Sequence, residues 1–196
     1  MRPGPATSKV QPLFGPSSKF ADGALVLAAR EGQPWAQEAL FRRYVPVAFG
    51  QAWRLMPHED PEDLAQEAMV RALTHLHRLE QPQAFAAWLS TIVVRLATTR
   101  LRRQRLLHRL GLRGPDPTAS LERATAATGD PEAAASLAEV YRQLANFPTE
   151  ERVALVLQRV EGLELTEIAE RMGLSLATVK RRLASGDARL KEQSRG

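Results

Sequence analysis

The stretch LTEIAERMGLSLATVKRRL, residues 165–183, decides the fold because it has the pattern of two short helices joined by a tight turn. Gly173 can take the left-handed conformation that ends a helix without a Cβ penalty. Ser175 then stands where the N-cap of a second helix is needed. Apolar residues recur at helical spacing on both sides of the turn: Ile168, Ala169, Met172, Leu176, Val179 and Leu183. The stretch therefore predicts a helix-turn-helix.

The outward face of the second helix predicts contact with DNA. Small and polar residues come first on this face and cations follow: Ala177, Thr178, Lys180, Arg181 and Arg182. This order is typical of a recognition helix presented to a major groove. The alternative is a pair of short amphipathic helices whose basic face is merely solvated. The motif favours the DNA interpretation.

Composition narrows the class of protein. The chain has 196 residues and a formal charge of +5, and its sequence pI is about 10.2, so a polyanion is a plausible partner. The absence of cysteine excludes disulfides, thiol catalysis and Cys-ligated zinc. No apolar run approaches the roughly 20 residues that span a bilayer, and the N-terminus lacks the apolar segment of a secretory signal. We expect a cytoplasmic, mostly helical protein without membrane insertion.

The first half of the chain predicts a helical bundle. Residues 1–20 are rich in Pro, Gly and Ser and are predicted to be a disordered tail. Residues 21–111 carry four helical patterns with short breaks, as in a compact bundle. Helix starts are predicted at Asp22 as N-cap, at Pro34, at Asp60 followed by Pro61, and near Gln83. The second pattern places one apolar stripe in the core: Trp35, Ala39, Leu40, Tyr44, Val47 and Trp53.

The second half predicts a smaller helical unit. Residues 112–130 lack a strong period and read as a flexible linker, whose ends would lie about 24 Å apart on average and at most about 65 Å apart. Residues 131–193 carry four more helical patterns, in one of which Val153, Val156, Leu157 and Val160 are expected to be buried. The fold class is therefore all-α, with two small helical domains, a four-helix domain and a helix-turn-helix domain, joined by a flexible linker.

The end of the fourth predicted helix is rich in arginine. No acidic residue interrupts the sequence between Glu80 and Asp116, and the arginines in this part of the chain are Arg95, Arg100, Arg102, Arg103, Arg105, Arg109 and Arg113. Such a run repels itself, so an anionic partner is expected to lie against it. Cations near a helix C-terminus are mildly stabilising, but seven arginines exceed what that effect requires.

These features together resemble an extracytoplasmic-function (ECF) sigma factor, the two-domain minimal form of the bacterial sigma factors that direct RNA polymerase to promoters. DPEDLAQEAMVRAL at 60–73 resembles the segment that binds the polymerase clamp helices. FAAWLSTIVVRLATTRLRR at 85–103 resembles the segment that opens and reads the downstream (minus-10) element. FPTEERVALVLQRVEGLELTEIAERMGLSLATVKRRLASGDARL at 147–190 resembles the segment that binds the upstream (minus-35) element and the polymerase flap.

The resemblance implies a role for each matching position. The clamp-helix contacts would be Asp63, Gln66, Glu67 and Arg71. The loop His77–Gln83 would capture an extruded base of the non-template strand, and the downstream contacts would be His77, Arg78, Gln81, Gln83, Arg95, Arg100, Arg102 and Arg103. The upstream contacts would be Arg171, Ser175, Ala177, Thr178, Lys180 and Arg181. Core RNA polymerase and promoter DNA are the implied partners, with no cofactor, metal or catalytic residue. Family members are commonly silenced by an anti-sigma factor, and the sequence leaves open whether this chain has one.

Two positions depart from the family pattern. The family usually has Asn where this chain has Arg95, and an arginine can donate to phosphate but cannot accept hydrogen bonds as Asn does. The family also tends to have a basic pair where this chain has Ser185, Gly186 and Asp187. Gly186 weakens a helix by about 1 kcal/mol relative to Ala, so we expect the recognition helix to end early or bend there.

Three other classes of protein are weighed against this interpretation. An enzyme is disfavoured because no Gly-rich phosphate loop, nucleophile elbow or carboxylate pair occurs, and because His75 and His77 do not share a helix face. A stand-alone helix-turn-helix regulator would explain residues 149–191 but would leave the 60–73 and 95–113 segments without a purpose. The third alternative is a helical adaptor with no DNA role, for which alanine at Lys180 and Arg181 would leave promoter-dependent transcription unchanged.

Overall fold

The computed structural model describes residues 21–57, 60–112 and 131–193, and within these all regular elements are helices. The predicted tail 1–20 and nearly all of the predicted linker lie outside the described residues. The α-helices are α1 (Asp22–Arg30), α2 (Pro34–Leu55), α3 (Pro61–Thr74), α4 (Phe85–Arg109), α5 (Pro131–Ala145), α6 (Thr149–Arg159), α7 (Leu165–Met172) and α8 (Leu176–Gln193). The all-α prediction is confirmed.

Helix starts follow local chemistry in two of the predicted places. The Asp60 carboxylate accepts hydrogen bonds from the backbone N–H groups of Glu62 (3.0 Å) and Asp63 (3.1 Å), and Pro61 is the first residue of α3. Pro34 likewise begins α2. The Asp60 cap satisfies backbone donors that have no partner inside the helix, whereas a proline at the first position has no N–H that needs one.

The predicted cap at Asp22 is wrong. Asp22 is the first residue inside α1, and Ala21 is the N-cap. The Asp22 carboxylate is used by α2 instead: it accepts a hydrogen bond from the Tyr44 hydroxyl and pairs with Arg43 at 2.6 Å. Burial and these contacts with Asp22 raise the pKa of Tyr44. A tertiary contact between α1 and α2 has therefore replaced the expected local cap.

The segment between α3 and α4 is more broken than predicted. Helix α3 ends at Thr74 rather than near Leu79, and α4 begins at Phe85. Two 3₁₀ turns, Leu76–Arg78 and Pro82–Ala84, fill the gap. Leu76 and Leu79 are buried while the polar residues around them are exposed. Burial of the two leucines holds this loop on the bundle with its polar side outward.

The core of the first group of helices, α1 to α4, forms around Phe85. This ring is fully buried and meets Tyr44 edge-on, with ring centroids 4.9 Å apart. The prediction that Val47 and Val160 are buried is wrong, since their side chains are 57% and 56% exposed. Each lies on an amphipathic helix, on a face that the bundle leaves uncovered.

The second group of helices, α5 to α8, lies against the first. Helix α4 packs against α6 and α7, and α2 also contacts α6. The Arg152 side chain, itself buried, donates a hydrogen bond to the backbone oxygen of Leu55 at 2.9 Å. The Trp53 and Tyr141 rings meet edge-on across the same boundary, with centroids 6.0 Å apart. Among the described residues, none of the helices has both the length and the apolar character that a membrane crossing requires.

Candidate nucleic-acid and polymerase interfaces

The turn between α7 and α8 is built as the sequence predicts. Gly173 has a φ of 65°, in the left-handed region, and ends α7. The Ser175 hydroxyl accepts a hydrogen bond from the backbone N–H of Thr178 at 3.2 Å, which caps α8. At the other end of α7, Glu164 and Glu167 cap each other's backbone N–H groups reciprocally. The helix-turn-helix is therefore fixed at both of its helix starts and at the turn.

The residues predicted to contact upstream DNA differ in their exposure to solvent. Ala177, Lys180 and Arg181 are exposed on α8, and Thr178 is half-buried. The side chain of Arg171, by contrast, is only 11% exposed and lies 3.5 Å from the Glu167 carboxylate on its own helix. The exposed part of the predicted surface is therefore the first two turns of α8.

Of the two outcomes expected at Gly186, an early end or a bend of the recognition helix, the early end is wrong. Helix α8 continues through Gly186 to Gln193, and Gly186 is buried. A Cβ at this position would lie 2.8 Å from Cδ1 of Leu155 on α6. Gly186 is thus the point where α8 approaches α6 closely, and the packing gained there offsets the weak helix propensity of glycine.

The loop predicted to capture a base is exposed. The side chains of four predicted residues in this loop are exposed to solvent around the buried Leu76 and Leu79: His77, Arg78, Gln81 and Gln83. On α4, Arg95, Arg102 and Arg103 are exposed and Arg100 is half-buried. The predicted downstream residues therefore lie on the loop 77–83 and along α4. Those on α4 contact different parts of the protein.

Arg100 is bound by the predicted polymerase-contacting residues. Its guanidinium lies 2.7 Å from the Asp63 carboxylate and also pairs with Glu67, which in turn pairs with Arg71 at 2.6 Å. Burial alone would lower the pKa of Arg100, but the hydrogen bonds to Glu67 and Asp63 raise it. Gln66 lies beside these groups and is exposed. Helix α3 and the middle of α4 thus share one network of charges.

Two further arginines of α4 meet the second group of helices. Arg102 lies 2.6 Å from the Glu150 carboxylate at the start of α6, and Arg105 donates to the backbone oxygen of Phe147 at 3.1 Å. Arg95 lies beside the helix-turn-helix itself, since a Cβ at Gly173 would be 3.7 Å from its Nη2. The arginine run predicted an anionic partner, and in this structure protein carboxylates supply part of that charge.

Sequence reasoning missed the acidic residues that face these arginines. Glu150 also lies 2.8 Å from Nε of Arg182 on α8. Glu161, which follows the C-cap of α6, pairs with Arg54 of α2. Glu150 and Glu151 lie in the first turn of α6, where acidic residues are favourable in any helix, so the sequence alone does not indicate their contacts with remote arginines. Glu151 is buried and binds Ser185 and Arg189 of α8.

Metal ligands do not cluster in the described part of the chain: no three His, Asp or Glu side chains there are placed to hold an ion together. His75 and His77 form only an edge-on ring contact, with centroids 6.1 Å apart. The interfaces described above therefore consist of charged and polar side chains on helices, a chemistry suited to binding polyanions and protein surfaces.

Comparison with known proteins identifies both halves of the chain. The family profile described as Sigma-70 region 2 matches residues 40–106, and the profile described as Sigma-70, region 4 matches residues 137–186. The chain is 31% identical over 179 residues to the ECF RNA polymerase sigma factor SigM of Mycobacterium tuberculosis, covering 90% of this chain and 86% of that protein. It is 27% identical over 179 residues to the ECF RNA polymerase sigma-E factor of Haemophilus influenzae, covering 85% and 92%.

A solved structure has a similar fold. CnrH, solved in complex with the cytosolic domain of CnrY, superposes with a TM-score of 0.60 at 27% sequence identity, covering 89% of this chain and 97% of CnrH. The two profiles occur in the same order as the two groups of helices described above. The chain belongs to the ECF group of the sigma-70 family, the sigma factors that direct RNA polymerase to initiate transcription at specific promoters.

Proposed function

We propose that the two groups of helices divide promoter recognition, with boundaries at residues 21–111 and 131–193. The second group reads the upstream (minus-35) element with the exposed start of α8. The observation that carries this proposal is the pairing of a capped, rigid turn with the exposed cations Lys180 and Arg181 immediately after it. A helix fixed in this way can enter a major groove and keep its register on the phosphates.

The first group reads and opens the downstream (minus-10) element. Support comes from the exposed polar side chains of loop 77–83, which is held on the bundle by buried leucines, and from the arginines of α4. An extruded base costs a few kcal/mol to unstack, and a polar loop can offset this by hydrogen bonds to the base edge. Arg103 is exposed in the last third of α4 and is suited to phosphate contact.

Helix α3 is the proposed contact with the polymerase clamp helices. Asp63, Gln66 and Arg71 are exposed on one face of α3, and Glu67 is half-buried among them. Spacings of three, four and eight residues place them on one side of a helix. Because Arg100 pairs with two of these carboxylates, it acts in this proposal as a positioning residue for the polymerase contact as well as a neighbour of DNA.

The chain itself carries out no chemical step in this proposal, and it works in the cytoplasm, where RNA polymerase acts on DNA. The second group would also contact the polymerase flap. CnrH was solved with the cytosolic domain of CnrY bound. By analogy, we include an anti-sigma factor among the proposed partners.

Reconstitution with core RNA polymerase tests the proposal. The purified chain should co-elute with the core enzyme and make it initiate at promoters that the core enzyme alone does not use. Transcripts sequenced after overexpression would then supply the promoter sequence. Failure to co-elute, together with tight unaided binding to duplex DNA, would instead identify a stand-alone regulator.

A further inference from the structure

The loop between α3 and α4 lies against α1 at both of its 3₁₀ turns. At the first turn, Nε of Arg30, the last residue of α1, donates a hydrogen bond to the backbone oxygen of Leu76 at 3.1 Å. At the second turn, a Cβ on Gly23 would lie 3.8 Å from Cβ of Pro82 and 3.8 Å from the backbone nitrogen of Gln83. About 10 Å of helix separates Gly23 from Arg30. One short helix therefore contacts both ends of the loop.

Helix α1 is itself fixed to the bundle. Leu25 and Val26 are fully buried. The Asp22 carboxylate accepts a hydrogen bond from the Tyr44 hydroxyl and lies 2.6 Å from Nη1 of Arg43 on α2. The profile that matches the first group begins at residue 40, so α1 lies outside it. The loop therefore rests on a helix whose place is set by its own contacts with α2.

The hydrogen bond from Arg30 adds a long-range contact to the local bonds of the loop. The same Leu76 oxygen accepts the backbone N–H of Leu79 at 3.2 Å, and the N–H of Ala84 bonds to the oxygen of Gln81 at 2.9 Å. These local bonds each close one turn and do not fix that turn on the bundle. The guanidinium is a charged donor, which makes a stronger hydrogen bond than a neutral one, and it lies 46 positions from its acceptor.

We propose that α1 holds loop 77–83 in the conformation that receives the extruded base, and that Arg30 is a positioning residue for this capture. A loop that must become ordered when it binds loses conformational entropy, and this cost lowers its affinity. Arg30 acts through the backbone of Leu76 and not by touching DNA. This inference rests on the proposed function, because it assigns base capture to the loop.

Two substitutions at Arg30 separate its hydrogen bond from its charge. Glutamine has a nitrogen donor as many bonds from the backbone as Nε of arginine, whereas methionine has a methyl group there, and both remove one positive charge. Hydrogen exchange of the full-length free chain then measures the loop directly. Arg30→Met should speed exchange of the Leu79 and Ala84 amides by about two- to tenfold, as expected for one net hydrogen bond. Arg30→Gln should restore most of the protection.

The control is Arg42→Met, which removes the same charge from an exposed position of α2 and should leave the exchange of these amides unchanged. Equal exchange rates in Arg30→Met and Arg30→Gln would overturn the role of the hydrogen bond.

The holoenzyme measures base capture with a single-stranded oligonucleotide that carries the downstream element identified from the transcripts. An abasic site is placed at each position in turn, and the captured base is the one whose loss weakens binding most. Arg30→Met should lower the ratio of intact to abasic affinity at that position by about two- to tenfold, while binding of the abasic oligonucleotide stays the same. Arg30→Gln should keep the ratio of the unsubstituted protein.

Each remaining outcome has a distinct meaning. Equal weakening of binding to the intact and abasic oligonucleotides by Arg30→Met would indicate a general structural effect and would overturn the positioning role. An unchanged affinity ratio despite faster exchange of the loop would overturn it as well. If no abasic site weakens binding by the unsubstituted protein, the proposed base capture is wrong, and the exchange rates still decide whether α1 holds the loop.

Discussion

Gly186 of α8 packs directly on Leu155 of α6, so closely that a Cβ on Gly186 would lie 2.8 Å from Cδ1 and 3.2 Å from Cγ of the leucine. Leu155 is 3% exposed and is held within the core of the second group. The leucine therefore has little room to move away. Because position 186 has no side chain, the recognition helix can pack this close to α6.

Gly186→Ala should destabilise the chain by about 1 kcal/mol, although alanine is the better helix former. Overpacking costs about 1–3 kcal/mol and the gain in helix propensity offsets about 1 kcal/mol of it. The free energy of unfolding from urea denaturation measures the effect. In a Leu155→Ala background, where space is available, the same substitution should be neutral or stabilising. Stabilisation by Gly186→Ala in the unsubstituted protein would contradict the close approach.

Lys180→Ala and Arg181→Ala should each weaken promoter binding by the holoenzyme. If each cation neutralises one phosphate, the slope of log binding constant against log salt concentration should become shallower by about 0.9 per substitution. Lys191→Ala is the control, because Lys191 is exposed near the end of the same helix and outside the proposed reading face. An equal change in slope for all three variants would show that the effect is one of net charge rather than of position.

Arg100→Gln should destabilise the first group by about 1 kcal/mol and weaken binding to core polymerase. The substitution removes the cation that pairs with both Asp63 and Glu67, and partly exposed charge pairs contribute modestly. Arg103→Gln is a matched control on the same helix, since Arg103 is exposed and its loss should change stability by less than about 0.5 kcal/mol while weakening promoter binding. Urea denaturation measures the effect on stability, and titration with core polymerase measures the effect on binding. Identical behaviour of the two variants would argue against a positioning role for Arg100.

Stability should fall between about pH 10 and pH 12 because of Tyr141. Burial raises the pKa of Tyr141 to about 12, with smaller opposing contributions from Arg152 and Arg54, whereas an unfolded tyrosine titrates near pH 10. Below pH 10 the hydroxyl is protonated in both states and the contribution is complete. As the pH rises, the unfolded state loses the proton first and is stabilised relative to the folded state. The loss should approach about 3 kcal/mol, since each pKa unit corresponds to about 1.4 kcal/mol.

Tyr141→Phe isolates this effect, since it cannot titrate and Tyr44 remains in both proteins. The free energy of unfolding should decline less steeply with pH in Tyr141→Phe than in the unsubstituted chain. Parallel curves for the two proteins would mean that Tyr141 is not buried as the structure shows.

The sequence was sufficient where a feature depends on a few neighbouring residues. The cap at Asp60, the left-handed Gly173 and the cap at Ser175 all follow from local hydrogen bonding and backbone sterics, and all three are confirmed. The sequence was insufficient where distant residues compete for the same group. Asp22 is taken by Tyr44 and Arg43 of another helix, and the propensity rule for Gly186 is outweighed by Leu155 of α6.

In the candidate site, too, the sequence predicts local features but not contacts between distant residues. The arginine run of α4 predicts an anionic partner, and the protein carboxylates that contact it in the structure are remote in sequence. Asp63 is 37 positions from Arg100, and Glu150 is 48 positions from Arg102. Spacing along one helix cannot reveal such pairs. The roles of individual residues in binding DNA and polymerase came from the family resemblance and stay predictions.

The edge-on contact between Trp53 and Tyr141 gives the protein an optical property. An indole at the boundary of the two groups changes its surroundings whenever the second group moves away, whereas Trp35 and Trp88 lie within the first group. With those two replaced by phenylalanine, the intrinsic emission of Trp53 would report whether the contact between the two groups changes when polymerase is added, without any attached dye.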